Sequence, residues 1–181
     1  MTTNTNAQRW NIDTTHSTIA FSVRHLVFAK VRGRFDDFAG TIELAGDDLT
    51  RGVASVEIRT ASIDTGVADR DTHLRSPDFF DVERFGTMKF SSTRVEKDGD
   101  RLRVTGDLTI RDVTKSVALD VESHGRAKDP WGNDRVAFSA KTSIDRRDFG
   151  LTWNQALETG GVLVGERIDI ELDVQAVAAA A

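Results

Sequence analysis

The stretch Arg70–Phe90, RDTHLRSPDFFDVERFGTMKF, interrupts a chain that otherwise alternates apolar and polar residues with the period of a β-strand. It carries four of the ten phenylalanines, Phe79, Phe80, Phe85 and Phe90, among alternating acids and bases. Ser76, Pro77 and Asp78 have the order of a helix start: a capping hydroxyl, a proline at the first helical position and an acid in the first turn. Upstream, Thr65 is placed to cap a segment from Val67 to Arg75, stopped by the restriction that Pro77 imposes on Ser76. The pattern predicts two short helices joined at Ser76, inserted into a β protein and suited to covering one end of a barrel or sandwich. A packed excursion that merely fills a core has the same composition.

On the N-terminal side, Trp10–Asp13 reads as a short strand and Thr14–Ser17 as a turn. Ile19, Phe21 and Val23 then alternate with Ala20, Ser22 and Arg24, and His25 falls on the apolar side. Val31–Leu44 reads as one long strand whose apolar parity switches between Phe35 and Phe38, which predicts a bulge near Asp36 and Asp37. Ala54, Val56 and Ile58 mark the next strand. On the C-terminal side, a strand from Met88 to Glu96 meets the hairpin signal Asp98-Gly99. Returning strands hold Leu102 to Ile110, Val117 to Val121 and Val136 to Ile144, with a turn at Asp112 and a loop at Asp129–Asn133. Val162 to Val174 keeps one parity to the end. With about eight long strands, hairpin-like connections and no βαβ spacing, the fold class is all-β and antiparallel, and strand length favours a closed barrel over a sandwich.

The 181 residues suffice for one domain, placed at 10–177 between a disordered-looking leader at 1–9 and a low-complexity tail at 178–181. A net charge of -5 with no basic patch argues against nucleic acid as a partner. No apolar run approaches membrane-spanning length. The polar N-terminus lacks a secretory signal, which predicts a cytoplasmic protein if Met1 is the native start. There is no cysteine, and His16, His25, His73 and His124 do not stand at metal-ligand spacing, so neither a metal nor another cofactor is expected. Gly160–Gly165 lacks the Lys-Ser/Thr end of a phosphate loop and reads as a loop into the last strand. His73 reads as part of a solvated helix face. Asp145-Arg146-Arg147-Asp148 reads as an ion-paired corner, and two arginines at a barrel mouth also suit an anionic head group. No group of residues divides the roles of nucleophile, base and acid, which points away from catalysis.

Taken together, the pieces Asp13–Phe21 with His25, Gly33-Arg34-Phe35, Phe38-Ala39-Gly40, Arg70–Leu74, Asp78–Asp81, Lys89-Phe90, Gly106–Ile110, Val113-Thr114-Lys115, Asp145-Arg146 and Asp148-Phe149-Gly150 resemble the YceI-like, polyisoprenoid-binding family. Two positions depart from that pattern: Gly86 stands where proline is usual, and Asp112 where glycine is usual. Aspartate tolerates the left-handed conformation such a turn needs, while Gly86 leaves the end of the insertion looser. The resemblance implies a lipocalin-like barrel with a short helical insertion, whose interior holds a long isoprenoid, an isoprenoid quinone or another long-chain lipid. It also makes a homodimer plausible. The lining expected on this basis is Phe21, Val23, Phe35, Phe38, Leu74, Phe79, Phe80, Phe85, Met88, Phe90, Phe138 and Trp153, with His25 and Arg146 as polar contacts. Two other readings stay open: an enzyme using the same pocket with His25 as base, and a structural barrel with a solid core.

Overall fold

A computed structural model describes residues 7–180; residues 1–6 of the expected leader and residue 181 of the expected tail lie outside the described residues. In chain order the strands are β1 (Gln8–Ile12), β2 (Thr18–His25), β3 (Ala29–Phe35), β4 (Phe38–Leu44), β5 (Val53–Arg59), β6 (Ile63–Asp64), β7 (Thr87–Asp98), β8 (Arg101–Ile110), β9 (Val113–Lys128), β10 (Asp134–Asp145) and β11 (Val164–Ala178). One α-helix, α1 (Ala68–Arg75), lies between β6 and β7. The circuit β1-β4-β5-β7-β8-β9-β10-β11 returns to β1, closing eight antiparallel strands into a barrel. Closure leaves the circuit without the unpaired edge that an open sheet would expose. At one end β2, β3 and β6 extend the wall, with β2 following β1 along β11 and β3 pairing with β2 and β6.

The opposite end is solid. Trp10 faces Ile42 on β4 and Ala178 on β11, and it packs with Leu44, Val136 and Ala176. Ala176 is 0% exposed, so the alanine-rich terminus supplies wall as far as Ala178, where composition alone suggests only a tail. A small side chain there leaves room for the Trp10 ring, which is why alanine serves as core.

Three local expectations need correction. Val31–Leu44 is not one bulged strand. At Asp36 and Asp37 the pairing partners change from β2 and β6 to β1 and β5, and the backbone is held by Asp36 N–H to Ser62 O and Arg59 N–H to Asp37 O. The parity switch therefore marks a corner. The second helix, expected from Pro77, does not form. Ser76 instead ends α1, its hydroxyl donating to His73 O at 2.6 Å, and the chain continues as turns. Phe80 N–H and Val82 N–H take the carbonyls of Leu74 and Arg75, and buried Asp81 sits at φ 50, which no helix accommodates. Nor does Thr65 cap α1: the cap is Val67, and Thr65 donates its N–H and hydroxyl to buried Asp71.

The hairpins are tight. Asp98 pairs with Arg101, so the connection is Gly99-Asp100, with Gly99 at φ 64, the position a two-residue hairpin gives to glycine. In the next hairpin Ile110 pairs with Val113, and Arg111, not Asp112, takes the left-handed conformation at φ 57. Gly86 is not loose: its carbonyl accepts from Thr60 N–H, and the buried Thr60 hydroxyl donates to Phe85 O at 2.8 Å.

At the solid end Arg135 bridges two loops, donating to Asp13 at 2.7 Å and to Asp129 at 2.9 Å. The Thr15 hydroxyl, then Arg135, hold the Asp13 carboxyl well below the usual carboxylate range. For Asp129, burial pushes upward but is outweighed by hydrogen bonds from Asn133, Arg135 and Trp131 N–H. Both folded-state values lie below the unfolded ones, so their stabilisation is complete above the unfolded value and is lost as pH falls toward the folded one. Thermal unfolding followed by circular dichroism should therefore show a steady midpoint from neutral pH down to about 4 and a decline below it. Arg135→Gln should unfold at lower temperature at neutral pH and show a shallower acid decline.

Candidate functional site: an apolar hollow under the helical insertion

The barrel interior on the α1 side encloses a cavity of about 200 Å³. Its lining is apolar except for Thr142 and Arg146. Inward parity supplies most of it: Phe21 and Val23 from β2, and Ile168, Ile170, Leu172 and Val174 from β11. These six are half-buried although they face inward, because one side of each meets the hollow. Two glycines shape the wall. Gly33 lies opposite Phe21, and a Cβ on Gly33 would run into the Phe21 ring. The Phe90 ring covers Gly106 in the same way. Each ring thus lies flat against the wall instead of filling the centre.

The insertion forms the roof. Leu74 on α1, with Phe79 and Phe80 from the following turns, reaches the hollow, and Phe80 meets Phe35 edge-on at 5.7 Å. Arg75 fastens α1 to the wall, donating to Ala61 O and Ile63 O, each at 2.9 Å. The His73 side chain is 39% exposed, as a solvated helix face implies, and its ring also stands edge-on to Trp153 at 4.5 Å and to Phe79 at 5.1 Å, with Nε2 2.9 Å from Asp78.

Ten of the fourteen residues expected at the site border the hollow: Phe21, Val23, Phe35, Phe38, Leu74, Phe79, Phe80, Met88, Phe90 and Arg146. The other four do not reach it. Phe85 lies against the guanidinium groups of Arg84 and Arg111. Phe138 packs with the solid end and the neighbouring Leu102–Val104 cluster. Trp153 backs Phe79 and His73 from outside. His25 ends β2, pairing with Ala29 and Val164, beyond the last lining residue of that strand.

Arg146 borders the hollow, but its guanidinium faces the backbone. It is 4% exposed and donates to the carbonyls of Gly165, Leu151, Trp153 and Val164 at 2.7–3.3 Å. Burial pulls its pKa below the ordinary arginine value, opposed by the nearby charges of Glu166 and Asp145. The other polar lining group, the Thr142 hydroxyl, donates to Ala118 O at 2.8 Å. The corner expected at Asp145–Asp148 is ion-paired, with Arg147 2.6 Å from Asp145 and 3.0 Å from Glu166. Among the described residues, no three His, Cys, Asp or Glu side chains stand together as metal ligands, and no helix is long and apolar enough to cross a membrane. The aliphatic lining of β11 escapes a reading that looks for aromatics, although its unbroken parity from Ile168 to Val174 carries the signal.

Among solved structures, BcnA of Burkholderia cenocepacia superposes with a TM-score of 0.79 at 20% identity, covering 91% of this chain and 98% of that one. A polyisoprenoid binding domain from Saccharophagus degradans superposes at 0.68 with 16% identity, covering 94% and 98%. These likenesses establish a shared barrel fold. In sequence, a UPF0312 protein of Staphylococcus epidermidis is 40% identical over 170 residues, 92% of this chain and 96% of its own length. The model of the YceI-like domain matches residues 10–176, essentially the whole barrel from Trp10 to Ala176, and the chain belongs to that family.

Proposed function

We propose that this protein binds one long-chain isoprenoid or similar lipid inside the barrel and carries or sequesters it without chemical change. The observation that carries the reading is the hollow: its walls are apolar, and the donors at its two polar positions are directed at backbone carbonyls. Such a site recognises hydrocarbon by burial, at about 0.8 kcal/mol for each methylene removed from water. The polyisoprenoid-binding domain from Saccharophagus degradans, which shares the fold, supports the same class of guest. At about 200 Å³ the hollow is smaller than the roughly 300–1,000 Å³ of common ligand pockets. A long chain therefore needs the roof of α1 and residues 76–86 to shift against the bonds that fasten it to the wall, Arg75 to Ala61 O and Ile63 O and the Thr60 hydroxyl to Phe85 O.

Organic extraction of protein purified from its own host, followed by mass spectrometry, should yield one long-chain lipid in stoichiometric amount. Protein that yields none and takes up no added isoprenoid quinone would refute the reading.

A further inference from the structure

We infer that the barrel docks on an anionic lipid bilayer through the tip of the β2–β3 hairpin, Leu26-Val27-Phe28, at the end where the hollow lies. The purpose rests on the lipid-binding reading; the surface itself does not. Phe28 is 91% exposed and Val27 62% exposed. Solvent does not explain three successive apolar side chains at a hairpin tip. The backbone makes them costlier still. Leu26 and Val27 both take left-handed conformations, at φ 52 and 67, where a hairpin ordinarily places glycine or asparagine and a β-branched residue is an outlier. The tip therefore gives up stability to display apolar side chains, the pattern of a working surface.

The surroundings identify the partner. Arg24 and Lys30 face each other directly across the hairpin, and Arg32 follows opposite Ser22. None of the three has an acidic partner among the described residues. Like charges set opposite one another repel unless an anion lies near. An apolar tip backed on one face by the Arg24–Lys30 pair fits the acyl boundary and head groups of an anionic membrane, while farther along that face Lys30 and Arg32 line a groove with Asp98, Asp120, Asp169 and Glu171. A second copy of this chain fits poorly, because a two-fold contact would set the same cations against each other.

The same end collects other exposed apolar residues. Leu26 N–H donates to Leu163 O, beside the exposed Val162. The pairing of Arg34 with Asp64 sends the chain after β6 toward this end, where Val67 is exposed. Val23 and Val164, which flank the tip in the ladder, line the hollow. A bilayer held here would face the route between solvent and cavity.

The test is co-sedimentation of the full chain with vesicles of phosphatidylcholine alone or mixed with phosphatidylglycerol, at low and high salt. Binding to the mixed vesicles, weakened by salt, is expected. Phe28→Ser should bind about tenfold more weakly. Val27→Gly should melt at higher temperature yet bind more weakly, which separates display from folding. Arg24→Gln with Lys30→Gln should flatten the salt dependence. Equal binding by parent and Phe28→Ser, or no binding to the mixed vesicles, would overturn the inference, as would a dimer that Phe28→Ser dissociates. Lipid extracted from the same preparations keeps the two readings apart: a loaded protein that ignores vesicles defeats the docking surface alone, and an empty protein that binds them defeats the carrier reading alone.

Discussion

Arg146→Met is expected to destabilise the fold by about 3–5 kcal/mol, because the carbonyls of Leu151, Trp153 and Gly165 lose the guanidinium donor, while Val164 O keeps Asn154 Nδ2 at 2.8 Å, and each unsatisfied buried group costs about 1 kcal/mol or more. Arg146 donates to the carbonyls of Leu151, Trp153, Val164 and Gly165, so one side chain gathers both ends of the irregular segment between β10 and β11. The same segment carries Trp153, which backs Phe79 and His73 in the roof. Chemical denaturation should report the lost stability, and limited proteolysis should cut the variant between residues 150 and 163 faster than the parent. Lysine should not rescue it, since a single ammonium lacks the fork that meets carbonyls on two sides. The outcome also decides between roles. A residue placed for a ligand's head group would, on replacement by methionine, weaken binding and leave the fold as stable as before.

Arg146 illustrates where the sequence is legible and where it is not. That an arginine stands beside the barrel mouth follows from the charge cluster Asp145–Asp148 and the end of the Val136–Ile144 alternation. That its donors turn to carbonyls depends on the path of residues 150–165, which has no period to read. Alternation located the strands because burial on one face imposes a period of two. It did not reveal that Val31–Leu44 turns a corner, because a parity switch is the same for a bulge and for a change of partners. Ser76-Pro77-Asp78 carried a sound helix-start signal, but the contacts that hold Phe79 and Phe80 over the hollow, with Asp81 at φ 50, outweighed local preference. Likewise Phe85 and Phe138 were expected in the lining as phenylalanines, yet strand parity alone does not separate the hollow from the solid end where Phe138 packs.

Ile170→Trp is expected to abolish most lipid binding while leaving the barrel folded. Ile170 sits on β11 between Phe21 on β2 and Thr142 on β10, and all three border the hollow. A larger ring there projects into a space of about 200 Å³ that no other side chain fills. The wall itself loses little, since the substitution fills a hollow instead of forcing apart packed atoms. A guest excluded along the length of about four methylenes loses ~3 kcal/mol, or about a hundredfold in affinity. Titration with an environment-sensitive fluorescent fatty chain would read that loss, and the melting temperature of the lipid-free variant should stay level or rise. Retained affinity would place the guest elsewhere on the molecule, whereas a collapse in melting temperature would show that the centre tolerates no added volume and is packed core after all. The two results separate a barrel built around a guest from one built around itself, because only the former has unfilled volume to give up.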